Sequence, residues 1–224
     1  MANKINILTT KKLLPYQKKL LLDANLEVIE EDFITVQSLR GKKQSHINDN
    51  LIFSSQNAVN AVLEREDSAV LKSKTVFCVG IKSKEILEEN GFEVAVYTDY
   101  AADLAEIISL VYSNETFTFF SGNLRRDVLP NTLTENKITF NEIQVYETEL
   151  TSKKITTKFD GILFFSPSAV ESYLKQNTIK NEICFCIGET TAETLENKNI
   201  QHIVIAEQPS VENVIMEVIE YYNN

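Results

Sequence analysis

Hydroxyl-rich turns follow several apolar segments of this 224-residue chain. The clearest lies in residues 160–171, DGILFFSPSAVE, where a continuous apolar run stops at Ser166-Pro167-Ser168 and a helical pattern follows. Such a run is typical of a strand buried on both faces. Proline suits the first helical position, and Ser168 with Glu171 has the spacing of a capping box. The pattern predicts a helix N-terminus whose hydroxyls and N–H groups lie beside a strand end, where open α/β sheets bind ligands. An ordinary βα turn that binds nothing fits the same pattern.

Other turns in the chain share this character. They are Thr9-Thr10, Ser54-Ser55, Gly80, Ser121-Gly122-Asn123 and Gly188-Glu189-Thr190-Thr191. Each follows an apolar segment, so in a parallel sheet they would line one edge. Two such edges, facing each other across a hinge, would form a cleft suited to a ligand with several carboxylates or phosphates. The candidate substrate-binding residues are Thr10, Ser55, Gly122, Asn123, Ser166, Ser168, Gly188, Thr190 and Thr191.

Two further side chains are candidates for chemistry. Arg125, next to Arg126 in a helix predicted over residues 124–133, has a guanidinium that pairs well with carboxylates. A solvated helix face is the alternative explanation for these arginines. Tyr146 ends a predicted strand near the hinge, and a phenol there could donate a proton or a hydrogen bond. Packing at an interface is the alternative explanation for Tyr146.

Composition excludes several classes of function. The formal net charge of −10 disfavours nucleic-acid binding, which needs a basic surface. No GxSxG, P-loop or GxGxxG motif occurs.

The three cysteines form no CxxC motif, and the chain has only two histidines, so we expect buried reduced thiols and no zinc site. No segment approaches the roughly 20 apolar residues of a membrane span, and no signal peptide is recognisable. We expect a cytoplasmic monomer that binds neither membranes nor nucleic acid.

The chain contains an internal repeat. FSSQNAV (53–59) resembles FFSPSAV (164–170), and FCVGIKSKEILE (77–88) resembles FCIGETTAETLE (185–196). Strand and helix patterns alternate throughout both halves, which is typical of parallel α/β sheets. The repeat therefore predicts two similar, flavodoxin-like α/β units with five parallel strands each.

Two polar connectors determine how these units are assembled. Residues 35–50 and 147–158 each lie between a second and a third strand and show no helical pattern. Parallel neighbours in one sheet need a long crossover, usually a helix, so the chain is expected to leave one sheet and enter the other. This predicts a discontinuous domain A (1–36 plus 158–224) and a domain B (42–146), joined through 37–41 and 147–157 as a two-stranded hinge. Two sequential domains, 1–112 and 113–224, are the alternative.

Several segments resemble the uroporphyrinogen-III synthase family. They are SGNLRRDVLP (121–130), IQVYETEL (143–150), ILFFSPSAVESYL (162–174), CIGETTAETL (186–195) and PSVENVIMEVI (209–219). The resemblance implies two α/β domains joined by a two-stranded ladder. It also implies a cofactor-free lyase that cyclises hydroxymethylbilane to uroporphyrinogen III, with loss of water and inversion of the terminal pyrrole ring. On this basis Tyr146 is the candidate general acid, and the turns bind the acidic substituents of this linear tetrapyrrole.

One turn departs from the family pattern. The family often has an arginine after the first strand, where this chain has Thr9-Thr10-Lys11, so Lys11 or Lys12 is the candidate substitute. The alternative function is a non-catalytic two-domain binding protein or sensor for an anionic metabolite. A nucleotide-sugar transferase with two facing domains is disfavoured, because such enzymes are larger.

Overall fold

The computed structural model describes residues 4–39 and 46–223. Its strands are β1 (Asn6–Thr9), β2 (Glu27–Glu30), β3 (Ile34–Ser38), β4 (Asn50–Phe53), β5 (Thr75–Val79), β6 (Glu93–Thr98), β7 (Thr116–Gly122), β8 (Thr139–Leu150), β9 (Gly161–Phe164), β10 (Ile183–Cys186) and β11 (Ile203–Ile205). Its helices are α1 (Pro15–Asp23), α2 (Gln56–Leu63), α3 (Ser68–Leu71), α4 (Ile81–Glu89), α5 (Ala101–Val111), α6 (Val128–Glu135), α7 (Pro167–Leu174), α8 (Glu189–Glu196) and α9 (Val211–Asn223). The alternation confirms the predicted α/β class.

The first of two compact units comprises Met1–Thr35 and Glu149–Asn224. Its parallel sheet has the strand order β11-β10-β9-β1-β2, so the strand of the 160–171 segment is central. Ile162 and Phe164 pack on one side with residues of α7 and α8, whereas Leu163 packs on the other with α1 and α9. All three side chains are fully buried, which explains the apolar run without alternation.

The second unit comprises Val36–Thr148, and its sheet has the order β3-β8-β7-β4-β5-β6. The strands from β8 to β6 are parallel neighbours. β3 is antiparallel to β8, because Leu39 donates to the Val145 carbonyl while Thr151 donates to that of Phe33. This sheet therefore has six strands and is mixed, where the repeat predicted five parallel ones. β3 pairs with the edge of β8 that faces away from β7, so β3 and not β8 is the edge strand of this sheet.

The chain passes between the units at 35/36 and at 148/149. Residues 37 and 38 of the first predicted connector belong to β3, and residues 147–150 of the second belong to β8. Residues 40 and 41 of the first connector, and 42–45 of the predicted domain B, lie outside the described residues. The two strands that contain connector residues are thus neighbours in one sheet.

Two helices have caps other than those predicted, and a third begins later than predicted. Ser166 caps α7, so the predicted capping box of Ser168 and Glu171 is wrong, although Pro167 is at the first helical turn as expected. The spacing of Thr190 and Glu193 also predicts a capping box, but Gly188 precedes α8, so this prediction is wrong as well. α6 begins at Val128, which leaves Arg125 in the preceding turn and puts Pro130 in the first helical turn, where it is tolerated.

The three cysteines are free and buried, as predicted. Burial, with a contribution from a nearby glutamate, raises the pKa of the Cys78 and Cys184 thiols to about 12. Burial also raises the pKa of Cys186. No helix within residues 4–39 and 46–223 is long and apolar enough to cross a membrane. In the same ranges, no group of three or more His, Cys, Asp or Glu side chains is arranged to hold a metal ion.

Candidate active site

Within the first unit, the predicted turns lie on neighbouring strands. β9 pairs with β1 on one side and with β10 on the other, all in parallel. Thr10, Ser166 and Gly188 each follow the carboxyl end of one of these strands. The structure therefore places these three turns side by side at one sheet edge, as expected for a ligand-binding edge of an α/β sheet.

Ser166 and Ser168 form a pair of hydroxyls at the start of α7. The Ser166 Oγ accepts a hydrogen bond from the Ala169 N–H at 3.2 Å and lies 3.0 Å from the Ser168 Oγ. Both side chains are half-buried. The pair thus presents polar groups beside the positive end of the helix dipole.

The turn after β1 uses its hydroxyls within the fold. Thr10 is 1% exposed, and both its N–H and its Oγ1 donate to the Leu163 carbonyl, at 3.1 and 2.7 Å. Lys11 places its Nζ 5.4 Å from the centroid of the Phe165 ring, and the described residues provide no carboxylate for it. The Nζ of Lys12 lies 4.0 Å from the Asp32 carboxylate. Lys11 is therefore the better candidate to replace the arginine that the family often has after the first strand.

The start of α8 contains the remaining candidates of the first unit. Gly188 precedes the helix in an extended conformation, and the Thr190 carbonyl accepts from Thr194 Oγ1 at 2.9 Å. Thr191 is fully buried, and its Oγ1 has no hydrogen-bond partner among the described residues. A hydroxyl covered in this way reaches a ligand only if the turn moves, so binding by Thr191 stays a prediction.

In the second unit, Ser55, Gly122 and Tyr146 meet at the end of the sheet. The Ser55 Oγ donates a hydrogen bond to the Tyr146 Oη at 3.1 Å. The Tyr146 ring covers Gly122 so closely that a Cβ built there would lie 2.2 Å from the ring Cζ. Tyr146 as a whole is 9% exposed. A glycine is therefore required at 122 for the phenol to occupy this position.

An irregularity in strand pairing directs this tyrosine. Ser121 of β7 pairs with Gln144 of β8, but Gly122 pairs with Tyr146, so Val145 is an extra residue on β8. A one-residue change of register exchanges which side chain faces a given position, and bulges commonly re-aim a side chain near a functional site. The irregularity thus brings Tyr146, rather than Val145, opposite Gly122.

Asn123 fixes the backbone next to this tyrosine. Its side-chain amide donates to the Thr148 carbonyl at 3.1 Å, and its Oδ1 accepts from the Thr148 N–H at 2.8 Å. These two bonds continue the β7–β8 pairing beyond Gly122. They use both ends of the amide, so they support a positioning role for Asn123, and its predicted contact with substrate stays a prediction.

Arg125 is paired within its own unit. Its guanidinium donates to the two carboxylate oxygens of Glu142, at 2.7 and 3.1 Å, and also contacts Asp127. Ser121 donates to the same Glu142 oxygen as the Arg125 Nε, at 2.5 Å. The negative charges of Glu142 and Asp127 weaken the attraction of Arg125 for an anionic ligand. This pairing disfavours the predicted substrate contact and supports a role in holding the turn.

We expect Arg125→Gln to lower the free energy of unfolding by about 1 kcal/mol at pH 7, after allowance for solvent screening. Burial raises the pKa of Glu142, but hydrogen bonds from Arg125 and Ser121 outweigh it and lower the pKa below the ordinary value. A lowered folded-state pKa gives stability that is present above the unfolded value of about 4.3 and is lost as the pH falls through the folded pKa. Urea denaturation at neutral and acidic pH measures the difference between variant and wild type.

The difference in the free energy of unfolding between Arg125→Gln and the wild type should therefore shrink below about pH 4. Lys19→Gln is the matched control, because it removes a more exposed pair with Asp23 on α1 and should leave stability unchanged. A stability loss in Arg125→Gln of the same size at every pH would contradict the ion-pair explanation.

Comparison with known proteins identifies the family. The family model described as uroporphyrinogen-III synthase HemD matches residues 18–216, most of the chain. The chain belongs to the uroporphyrinogen-III synthase family. The predicted resemblance is thereby confirmed, together with the enzyme class of a cyclising lyase and a role in porphyrin and haem biosynthesis.

Relatives of known sequence or structure agree with this family. Uroporphyrinogen-III synthase of Saccharomyces cerevisiae is 25% identical over 194 residues, which cover 74% of this chain and 70% of the yeast protein. The structure of uroporphyrinogen-III synthetase from Helicobacter pylori has a TM-score of 0.72 at 18% identity, covering 98% of this chain and 100% of the other. A mutant uroporphyrinogen-III synthase from the bacterium Thermus thermophilus has a TM-score of 0.69 at 11% identity, covering 98% and 99%. These structural likenesses show a shared fold.

Within this synthase family member, sequence reasoning missed Glu142. No local spacing connects Glu142 with Arg125 or Ser121, because the partners come from neighbouring strands and the turn after β7. Only the pairing of β7 with β8 brings them together. A carboxylate on β8 close to an arginine-containing turn was the one available signal.

Proposed function

We propose that this chain converts hydroxymethylbilane into uroporphyrinogen III, with loss of water and inversion of the terminal pyrrole ring. The family match over residues 18–216 is the observation that supports this function most strongly. The turns at the two sheet edges support it independently, since hydroxyls and helix N-termini suit a polycarboxylate. Hydroxyls and helix N-termini can bind carboxylates even in a protein with a formal net charge of −10.

Tyr146 is the proposed general acid. When the phenol donates its proton, the hydroxyl of the bilane leaves as water. Its departure generates a cationic carbon at the end of the bilane that carried the hydroxyl. The substituted carbon of the terminal ring attacks this cation and forms a spiro-pyrrolenine intermediate. The bond from that carbon to the bridge of the neighbouring ring then breaks, and the bridge carbon bonds instead to the free α-carbon of the terminal ring, which inverts this ring. The proton that this α-carbon loses on aromatisation restores the phenol. Folding of the bilane so that the substituted carbon reacts is the main contribution of the protein.

The substituents of the bilane are proposed to bind at both sheet edges. Ser166, Ser168, Gly188 and Thr190 would hold propionates or acetates from domain A, with Lys11 as the nearby cation. Ser55 and the Gly122-Asn123 turn were the candidates in domain B. The cleft, the hinge and the domain boundaries inferred from the connectors belong to this proposal. So do a cytoplasmic location, a monomeric state and a reaction without cofactor.

Isomer analysis tests the proposed reaction. Hydroxymethylbilane closes spontaneously to the type I isomer, so the purified protein should shift the product to the type III isomer. The measurement is chromatographic separation of the two isomers after oxidation to porphyrins, with heat-unfolded protein as the control. Formation of only the type I isomer by folded protein would refute the proposal. Tight binding of the bilane without conversion would favour the alternative of a sensor.

A further inference from the structure

Ser55 makes two hydrogen bonds of opposite direction. Its Oγ accepts from the Ala58 N–H at 3.1 Å, which caps α2, and donates to the Tyr146 Oη at 3.1 Å. A serine hydroxyl has one hydrogen to donate. Because that hydrogen is directed at Tyr146, the phenol oxygen is an acceptor in this bond, and its own proton points elsewhere.

The Tyr146 proton has no acceptor among residues 4–39 and 46–223. Its Oη is bonded to Ser55 alone in this part of the chain. Gly122 fixes the ring from one side, because the Cα of residue 122 lies against it. The phenol is therefore held at its oxygen and at its ring while its proton is left for an external group.

The helix behind Ser55 favours negative charge on this oxygen. α2 begins at Gln56 and has no acidic residue in its first turn. The positive end of its dipole is therefore not neutralised locally. A chain of donors runs from the Ala58 N–H through the Ser55 hydroxyl to the Tyr146 oxygen, and donors aimed at developing charge stabilise it.

We infer that Ser55 is a positioning residue that orients Tyr146 and stabilises the phenolate formed when Tyr146 donates its proton. This inference rests on the proposed function, and it replaces the substrate contact predicted for Ser55. The repeat provides a matched comparison. Ser166 caps α7 as Ser55 caps α2, but its hydroxyl pairs with Ser168 rather than with a phenol.

Ser55→Asp separates capping from donation. Aspartate caps helices well, but an ionised carboxylate has no proton to donate to Tyr146. We expect kcat to fall about tenfold or more, with KM and the thermal midpoint close to wild type. Ser55→Thr retains the hydroxyl and should keep most of kcat. A raised KM with unchanged kcat in Ser55→Asp would overturn the inference and indicate a substrate contact.

A double-mutant cycle tests whether Ser55 acts through Tyr146. Ser55→Ala should cause no further loss of kcat in a Tyr146→Phe background, whereas Ser166→Ala should reduce activity by the same factor in both backgrounds. Equal losses from Ser55→Ala with and without Tyr146 would overturn the inference. Failure of the wild type to form the type III isomer would instead refute the proposed function.

Discussion

Tyr146→Phe is expected to lower kcat for formation of the type III isomer by about 10²- to 10⁴-fold, the range typical for loss of a general acid. The substitution removes one oxygen and leaves the ring over Gly122, so packing should be preserved. The Ser55 hydroxyl loses its acceptor, which costs about 1 kcal/mol of stability at most. Initial rates of type III formation, together with the thermal midpoint of each protein, provide the measurement.

Tyr100→Phe is the matched control for this substitution. Tyr100 belongs to the same unit, precedes α5 and is 52% exposed, so its phenol should be dispensable. If Tyr146→Phe retained wild-type turnover, Tyr146 would not be the acid, and the proton would have to come from another group or from water.

Gly122→Ala is expected to reduce both stability and turnover. The new Cβ would lie 2.2 Å from the Tyr146 Cζ and 2.7 Å from its Oη, so the ring must move. Overpacking of this kind typically costs about 1–3 kcal/mol. The displaced phenol would lose its bond to Ser55, and kcat should fall about as far as in Tyr146→Phe. Urea denaturation and isomer-resolved rates measure the two effects.

Two further variants show whether the clash is the cause. Gly188→Ala is the stability control, because its Cβ would meet nothing within 4 Å and its backbone is extended. On a Tyr146→Ala background, Gly122→Ala should cause no additional loss of stability, since the clashing ring atoms are absent. An equal loss from Gly122→Ala on both backgrounds would show that the ring is not responsible.

The repeat made much of the fold and part of the site predictable. Because FSSQNAV and FFSPSAV share a strand–turn–helix pattern, each was expected to place a serine at the start of a helix. Ser55 and Ser166 do cap α2 and α7, and each accepts from the N–H three residues later, although in the second segment the spacing favoured Ser168 as the cap. The central strands followed from uninterrupted apolar runs, and the family followed from the order of several weak segments.

Contacts between neighbouring strands were beyond prediction. The pairing of Arg125 with Glu142, and the close approach of Tyr146 to Gly122, depend on the register of β7 against β8. A single extra residue on β8, Val145, sets the pairing of Gly122 with Tyr146, and no residue type marks it in the sequence. The place of β3 in the second sheet was missed for a similar reason, since residues 34–38 join that sheet only by pairing with β8.

The burial of the three thiols makes unfolding of each unit separately observable. Cys78 belongs to the second unit, whereas Cys184 and Cys186 belong to the first. Thiol reagents react with the thiolate, so thiols that are covered and have raised pKa values react only when the surrounding structure opens. Alkylation rates resolved by mass spectrometry would therefore report the opening of each unit in the same native chain, without an introduced probe.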